Sequence, residues 1–344
     1  MGEELEIKEN VDAGMNAETI ADMNAVVQGV DAPTQPKKPN VIVTLLKAAA
    51  YVAAYVASIL VWWSTFAAIA MLETKKSLFT DFQWSLLEKD TDRFMALFKA
   101  VVMRTVSLRW YALVGEPLLL LFLFLFFKIR KQSFTERTGF QKCAPVMLLA
   151  GVLLGVGSRL IFDSVDLVIP LKTGGWTSAN AFYDLFISDN TKGLSAVLCL
   201  TAGGLFIPIA EEVIFRGLAF RHLMRIWPFA VSAVVLSVIF GALHWPPFFM
   251  IMIGVWSVGL CLQADRSGSI VPGVVSHVIF NLAVYSMPCL GLHYSKWMLC
   301  WMVPAGIICL VLWFLIVRKK KEKPFTEAKA TEMEEKEKPV ETEC

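Results

Sequence analysis

Charged residues are scarce in this sequence of 344 residues: only 18% are Asp, Glu, Lys or Arg, whereas 56% are hydrophobic. A soluble domain of this size needs more polar side chains to cover its surface, so the apolar excess is expected to face lipid. The net charge of +2 gives no indication of a nucleic-acid partner. The composition therefore predicts an integral membrane protein whose main surrounding is the lipid bilayer.

Several common motifs are missing. The seven cysteines include no CxxC pair, which argues against a zinc knuckle or a redox motif. The HExxH pattern of zinc proteases does not occur, and no internal repeat is found. The first forty residues lack the basic segment and early apolar run of a signal peptide, so no cleaved leader is expected.

The two ends of the chain differ in composition from the middle. Residues 1–40 form an acidic tail and residues 318–344 alternate Lys and Glu, and both are predicted to be disordered. The membrane domain is therefore placed at 41–317. Its apolar stretches can cross a hydrocarbon core of about 30 Å and predict an all-α bundle of about eight transmembrane helices. These stretches are 42–72, 110–128, 143–169, 194–215, 229–245, 248–264, 270–290 and 297–317.

Basic residues cluster after the second, fourth, sixth and eighth predicted helices, which all end on one side of the membrane. By the positive-inside rule this side is the cytoplasm, so both termini are predicted to be cytoplasmic, with the chain in the plasma membrane.

Two local patterns add detail. Prolines 246 and 247 predict a break between the fifth and sixth helices, and Gly151-x-x-x-Gly155 predicts a close helix contact.

Ionisable side chains within predicted membrane helices are the main indication of function, because each costs about 2.5–3.5 kcal/mol at the centre of a span. Between residues 193 and 316 the acidic residues are Glu211, Glu212 and Asp265, and all four histidines of the chain also lie there. Glu212 and Arg216 are four residues apart, so we expect an ion pair. Glu211 is turned away from Glu212 by about 100° and can face a cavity. The alternative is that both carboxylates only neutralise nearby arginines.

Two further pairs follow on later helices. Phe240 and His244 are four residues apart and share a helix face, as do His277 and Asn281. Each histidine on its own is compatible with a packing role. Glu211 and His244 lie 15 and 18 residues on either side of a predicted turn, which favours a similar depth in the membrane although the hydropathy boundaries place them differently.

Taken together, these residues are the set that peptide hydrolysis needs. Glu211 can act as a general base on water, and the His244 imidazole can share or relay the proton. His277 and Asn281 can stabilise a developing oxyanion. The sequence therefore predicts a hydrolytic site within the membrane, made by these four residues.

At these positions the chain resembles the CPBP family of intramembrane proteases, which includes the CAAX prenyl endoproteases and the bacterial Abi proteins. The family motifs EExxxR, FxxxH and HxxxN are present in order as Glu211-Glu212…Arg216, Phe240…His244 and His277…Asn281. The resemblance covers about residues 193–290. It implies an eight-helix fold around a cavity.

The resemblance also implies a role for each motif residue. Glu211 and His244 activate water, His277 and Asn281 form the oxyanion pair, and Glu212, Arg216 and Phe240 support the site. We favour a glutamate mechanism without a cofactor, because two histidines and one or two carboxylates only marginally satisfy zinc. Zinc or another divalent metal is the alternative, with Glu211, His244 and His277 as its ligands.

Other interpretations stay open at this stage. A proton- or ion-coupled transporter can also use intramembrane Glu and His side chains, and a non-catalytic membrane scaffold can retain the same residues. For a protease, the expected substrate is a membrane-associated peptide or a lipid-modified protein, and the sequence does not say whether it is prenylated. It also does not define the oligomeric state.

Overall fold

The computed structural model of the chain describes residues 39–78, 80, 83–85, 89–94, 96–97, 108–168, 193–244, 247–289 and 295–319. Within these residues every regular element is a helix, so the predicted all-α class is confirmed. Of the two predicted tails, residues 1–38 and 320–344 lie outside the described residues.

The helices are numbered in chain order as α1 (Val41–Leu78), α2 (Leu108–Ile129), α3 (Phe134–Thr138), α4 (Pro145–Val168), α5 (Gly193–Thr201), α6 (Ile207–Glu211), α7 (Arg221–Leu223), α8 (Phe229–Ala242), α9 (Pro247–Ser267), α10 (Val271–Cys289) and α11 (Leu299–Lys319). Two π-helical segments, Ala202–Phe206 and Glu212–Phe220, join α5, α6 and α7 into one continuous helix. We call this continuous helix the central run. A 3₁₀ turn, Lys296–Met298, precedes α11.

Five helices in the described part of the chain are long and apolar enough to cross a membrane: α1, α4, the central run, α9 and α11. Helices α8 and α10 are apolar but shorter. Many large hydrophobic side chains on these helices and on α2 are exposed, as lipid-facing residues are, among them Leu60, Phe122, Val238, Val255 and Ile308. These features agree with an integral membrane protein, whereas the number of eight spans stays a prediction.

Two predicted boundaries near the candidate site were wrong. The fourth span does not end at residue 215 but continues to Leu223, because the second π-helical segment carries the helix onward through buried residues. Helix α8 ends at Ala242 rather than at 245, so His244 lies in the turn that follows it. The predicted break is confirmed, since α9 begins at Pro247, where a proline loses no helical hydrogen bond.

The central run lies in the middle of the bundle. Helices α1, α2, α8, α9 and α10 all pack against it, most of them at its two π-helical segments. The largest core cluster joins α1, α2, the central run and α8 through buried residues such as Tyr55, Leu123, Phe215 and Phe240. The polar residues of the run are thereby enclosed by apolar helices.

Helices α4 and α10 make the close contact that the paired glycines predicted. A Cβ at Gly151 would meet the Pro272 carbonyl oxygen, and a Cβ at Gly155 would lie 2.6 Å from the Ser276 carbonyl oxygen. Both positions therefore need glycine for α10 to approach α4 this closely. The contact sets the position of α10, which carries two of the candidate site residues.

We expect Gly155→Ala to lower the free energy of unfolding by about 1–3 kcal/mol, since the added methyl group overpacks a backbone contact. Gly259→Ala is the matched control, because a Cβ there meets Leu154 at an ordinary 3.4 Å and a helical alanine gains about 1 kcal/mol over glycine. Unfolding of both variants in detergent, followed by circular dichroism, measures the difference. Equal stability of the two variants would contradict the packing argument.

Candidate active site

A fully buried ion pair lies on the central run. Arg216 Nη1 donates to Glu212 Oε1 over 2.8 Å, and both side chains are fully buried. Arg216 Nη2 donates to Ser257 Oγ of α9 over 2.6 Å. The pair that the i, i+4 spacing predicted is thus formed, and it ties the run to α9.

His277 of α10 lies between the two carboxylates. Its Nδ1 is 3.0 Å from Glu212 Oε1, and its Nε2 is 3.5 Å from Glu211 Oε2. Because Glu212 is paired with Arg216, its oxygen accepts and the His277 Nδ1 carries the proton. Glu212 therefore fixes the imidazole so that Nε2 faces Glu211.

Glu211 at the end of α6 has its two carboxylate oxygens in different surroundings. The hydroxyl group of Tyr55, from α1, donates to Oε1 over 2.8 Å. Oε2 has no hydrogen-bond partner among the described residues and lies on the side of His277. One oxygen is held, and the other is free to take up a proton.

Aromatic rings line this group. The Phe240 ring lies 4.3 Å from the Arg216 guanidinium carbon, 4.7 Å from the His244 ring centroid and 6.1 Å from that of His277. Trp256 packs edge-on against His277 at 4.9 Å. These rings exclude bulk water on their side of the site, which strengthens the electrostatic interactions within it.

His244, like His277, packs against the Phe240 ring. Its Nδ1 donates to the Phe240 carbonyl oxygen over 2.8 Å, so Nε2 is the nitrogen that can accept a proton in the neutral ring. The charges of Glu211, His277 and Arg216 all act on this imidazole. His244 is therefore close enough to Glu211 to interact with it electrostatically.

Asn281 makes its hydrogen bond with a different part of the central run from the part that His277 contacts. Its Nδ2 donates to the Gly203 carbonyl oxygen over 3.0 Å, a backbone group in the first π-helical segment. A primary amide has two N–H groups, so one donor is left after this bond. The structure thus joins Glu211, Glu212, Arg216 and His277 directly, with His244 and Asn281 at the edges.

Two residues near Glu211 were not found from the sequence. Tyr55 lies in a long apolar helix, and nothing in its local pattern marks it. Glu116 of α2 is buried and interacts electrostatically with Glu211. Glu116 is an acidic residue inside an apolar stretch, and this signal could have identified it.

The alternative metal site, with Glu211, His244 and His277 as ligands, depends on where their donor atoms lie. Within the described ranges, no group of three His, Cys, Asp or Glu side chains is placed to hold a metal ion. His277 Nδ1 is engaged with Glu212, and His244 Nδ1 with a backbone carbonyl group. Each imidazole therefore has Nε2 left for other interactions.

The comparisons with known proteins agree with the motifs. No curated protein and no solved structure shows significant similarity to this chain. Residues 193–283, which include every motif residue named above, match the family model described as type II CAAX prenyl endopeptidase Rce1-like. The resemblance to the CPBP proteases, CAAX prenyl endoproteases among them, is thereby confirmed over this segment.

Proposed function

We propose that this chain is an intramembrane endopeptidase that hydrolyses a peptide bond in a prenylated, CAAX-type protein tail. The observation that carries the proposal is the buried Glu211, held through Oε1 by Tyr55 and with Oε2 directed towards His277. This carboxylate lies inside the segment that matches a prenyl endopeptidase family. A buried carboxylate with one free oxygen beside an imidazole is the arrangement that a general base requires.

The reaction begins when Glu211 Oε2 takes a proton from water and the water oxygen attacks the carbonyl carbon of the substrate. The resulting tetrahedral oxyanion collapses, the C–N bond breaks, and the proton leaves with the amine product. His244 assists by accepting the same proton at Nε2, since its Nδ1 is held by the Phe240 carbonyl group. No metal ion takes part in these steps.

The oxyanion is stabilised by the groups that face Glu211 from α10. Glu212 fixes the ring of His277, and as an imidazolium, with a proton on each nitrogen, His277 donates from Nε2 on the side of Glu211. Asn281 contributes the amide N–H that the Gly203 carbonyl group does not use. Each such donor contributes about 3 kcal/mol to transition-state stabilisation when it is pre-positioned.

The substrate class follows from the surroundings of the site and from the family. The central run carries Glu211 within a candidate membrane span, Ala196–Leu223, so a peptide must reach membrane depth to be cleaved. A prenyl group anchors an otherwise soluble tail in the bilayer and brings it to this depth. We further propose eight spans in the plasma membrane with both termini in the cytoplasm, as the distribution of basic residues indicates.

The protein, purified into proteoliposomes, is expected to cleave a fluorogenic peptide that ends in a CAAX sequence with a farnesylated cysteine. The same peptide without the farnesyl group should be cleaved at least about tenfold more slowly, because its buried apolar area is lost. Fluorescence increase measures the rate. Two negative results together would contradict an endopeptidase. The first is that neither peptide is cleaved, and the second is that membrane proteins have the same termini in cells that carry wild type and in cells that carry Glu211→Gln.

The same assay separates a glutamate mechanism from a metal mechanism. We expect the rate on the farnesylated peptide to be unchanged after prolonged treatment with EDTA and 1,10-phenanthroline. Loss of activity that returns on addition of zinc would show instead that a metal ion takes part.

A further inference from the structure

Glu211 is held by a residue from a helix far outside the segment that matches the family. The Tyr55 hydroxyl group of α1 donates to Glu211 Oε1 over 2.8 Å, and the two residues are 156 positions apart in the chain. The matched segment begins only at residue 193. The contact therefore brings a part of the chain without a family motif into direct touch with the proposed base.

The Tyr55 side chain is itself held in place. Its exposed fraction is 2%, and its ring packs edge-on against Phe215 of the central run, with the centroids 5.7 Å apart. Phe215 in turn packs against Phe240 at 4.9 Å. The hydroxyl group is thus positioned by the same aromatic cluster that lines the site.

We propose that Tyr55 is a positioning residue for catalysis, acting through Glu211. By occupying Oε1 it fixes the rotation of the carboxylate, so that Oε2 is the oxygen presented to water and to His277. The proposal rests on the proposed role of Glu211 as the base. Under this proposal α1, which carries no family motif, positions the catalytic base.

The alternative is that Tyr55 only fills the core. A core residue contributes to folding, so its loss lowers stability, while the molecules that stay folded keep their kcat and KM. A positioning residue contributes to the chemical step, so its loss lowers kcat while KM and stability change little. The two roles therefore predict different results for the removal of one oxygen atom.

The experiment compares three variants in the farnesylated-peptide assay. Tyr55→Phe is expected to lower kcat about tenfold, the effect of losing one hydrogen bond to a charged group, with KM within about twofold and a melting temperature close to wild type. Tyr51→Phe removes the hydroxyl oxygen of a tyrosine one helical turn before Tyr55 in α1. The Tyr51 ring packs on His222, and this variant should leave kcat unchanged. Val52→Ala loosens the packing of α1 against the core and should lower stability without lowering kcat.

A second measurement tests the route through Glu211. Glu211→Asp shortens the side chain by one methylene group and withdraws its carboxylate from Tyr55. In that background Tyr55→Phe should have little further effect on kcat, which is the non-additivity expected of residues that act as a unit. This comparison stays valid if Tyr55→Phe lowers stability, because the substitution then lowers the stability of the wild-type and of the Glu211→Asp protein by the same amount.

The outcomes distinguish the two proposals. Wild-type kcat in Tyr55→Phe, or a loss that is fully additive with Glu211→Asp, would overturn the role of Tyr55 while an inactive Glu211→Gln still supports the proposed base. Full activity of Glu211→Gln would overturn the proposed function itself. A loss of kcat in Val52→Ala equal to that in Tyr55→Phe would assign Tyr55 to packing alone.

Discussion

Replacement of Glu211 by Gln is expected to lower kcat on the farnesylated peptide by about 1,000-fold, within the range found for loss of a general base. Gln keeps the size of the side chain, and its oxygen can still accept a hydrogen bond from Tyr55. It cannot take a proton from water at neutral pH. The chemical step should therefore fail in a protein that still binds its substrate.

The stability of this variant should stay within about 1 kcal/mol of wild type. Oε2 of Glu211 has no hydrogen-bond partner among the described residues, so its replacement by an amide group breaks no hydrogen bond there and changes only the 3.5 Å contact with His277 Nε2. Glu212→Gln is the matched comparison, because it makes the same chemical change at the neighbouring residue. There the carboxylate is bonded to both Arg216 and His277, so we expect a clear loss of stability.

The pair of variants thus separates the two glutamates. Initial rates and unfolding in detergent are measured on the same preparations. Activity in Glu211→Gln within tenfold of wild type would contradict the proposed base. Equal stability in both variants would contradict the assignment of Glu212 to the buried ion pair.

Local patterns in the sequence predicted much of the fold near the site. The spacing of Glu212 and Arg216 predicted their ion pair, and the paired glycines of α4 predicted a close helix contact, which α10 makes. Both are contacts that helical geometry determines over a few residues. The end of α8 was missed because an apolar stretch does not show where the last helical hydrogen bond forms.

Contacts between distant parts of the chain were not predictable in this way. The spacing of His277 and Asn281 places them on one helix face, but it does not show that His277 lies between two carboxylates or that Asn281 donates to a backbone carbonyl group. Tyr55 is an ordinary residue of an apolar helix until the fold brings it to Glu211. Such partners depend on how the helices pack against one another, and the spacing of residues along the sequence does not show this packing.

Replacement of Arg216 by Met is expected to have the largest effect on stability, lowering the free energy of unfolding by about 3–5 kcal/mol. The change leaves the Glu212 carboxylate buried without its cation, and it removes the donor to Ser257. Breaking one half of a buried ion pair costs more than the pair contributes, since the remaining charge is no longer compensated. Arg221→Met is the control on the same run. Arg221 Nη1 donates to the carbonyl groups of Glu136 and Arg137 in α3 over 2.5 and 3.0 Å, and the loss of these bonds should cost about 1–2 kcal/mol.

Addition of Glu212→Gln to Arg216→Met should restore much of the lost stability, because the double variant has no uncompensated charge. The double variant should nevertheless stay inactive, since His277 Nδ1 loses the carboxylate that fixes the imidazole. Unfolding in detergent and the peptide assay on all four members of the cycle test both statements. A double variant as unstable as Arg216→Met would show that Arg216 acts through its packing on Phe240. Recovered stability without recovered activity would instead mean that the ion pair neutralises a buried charge and also holds the imidazole that faces Glu211.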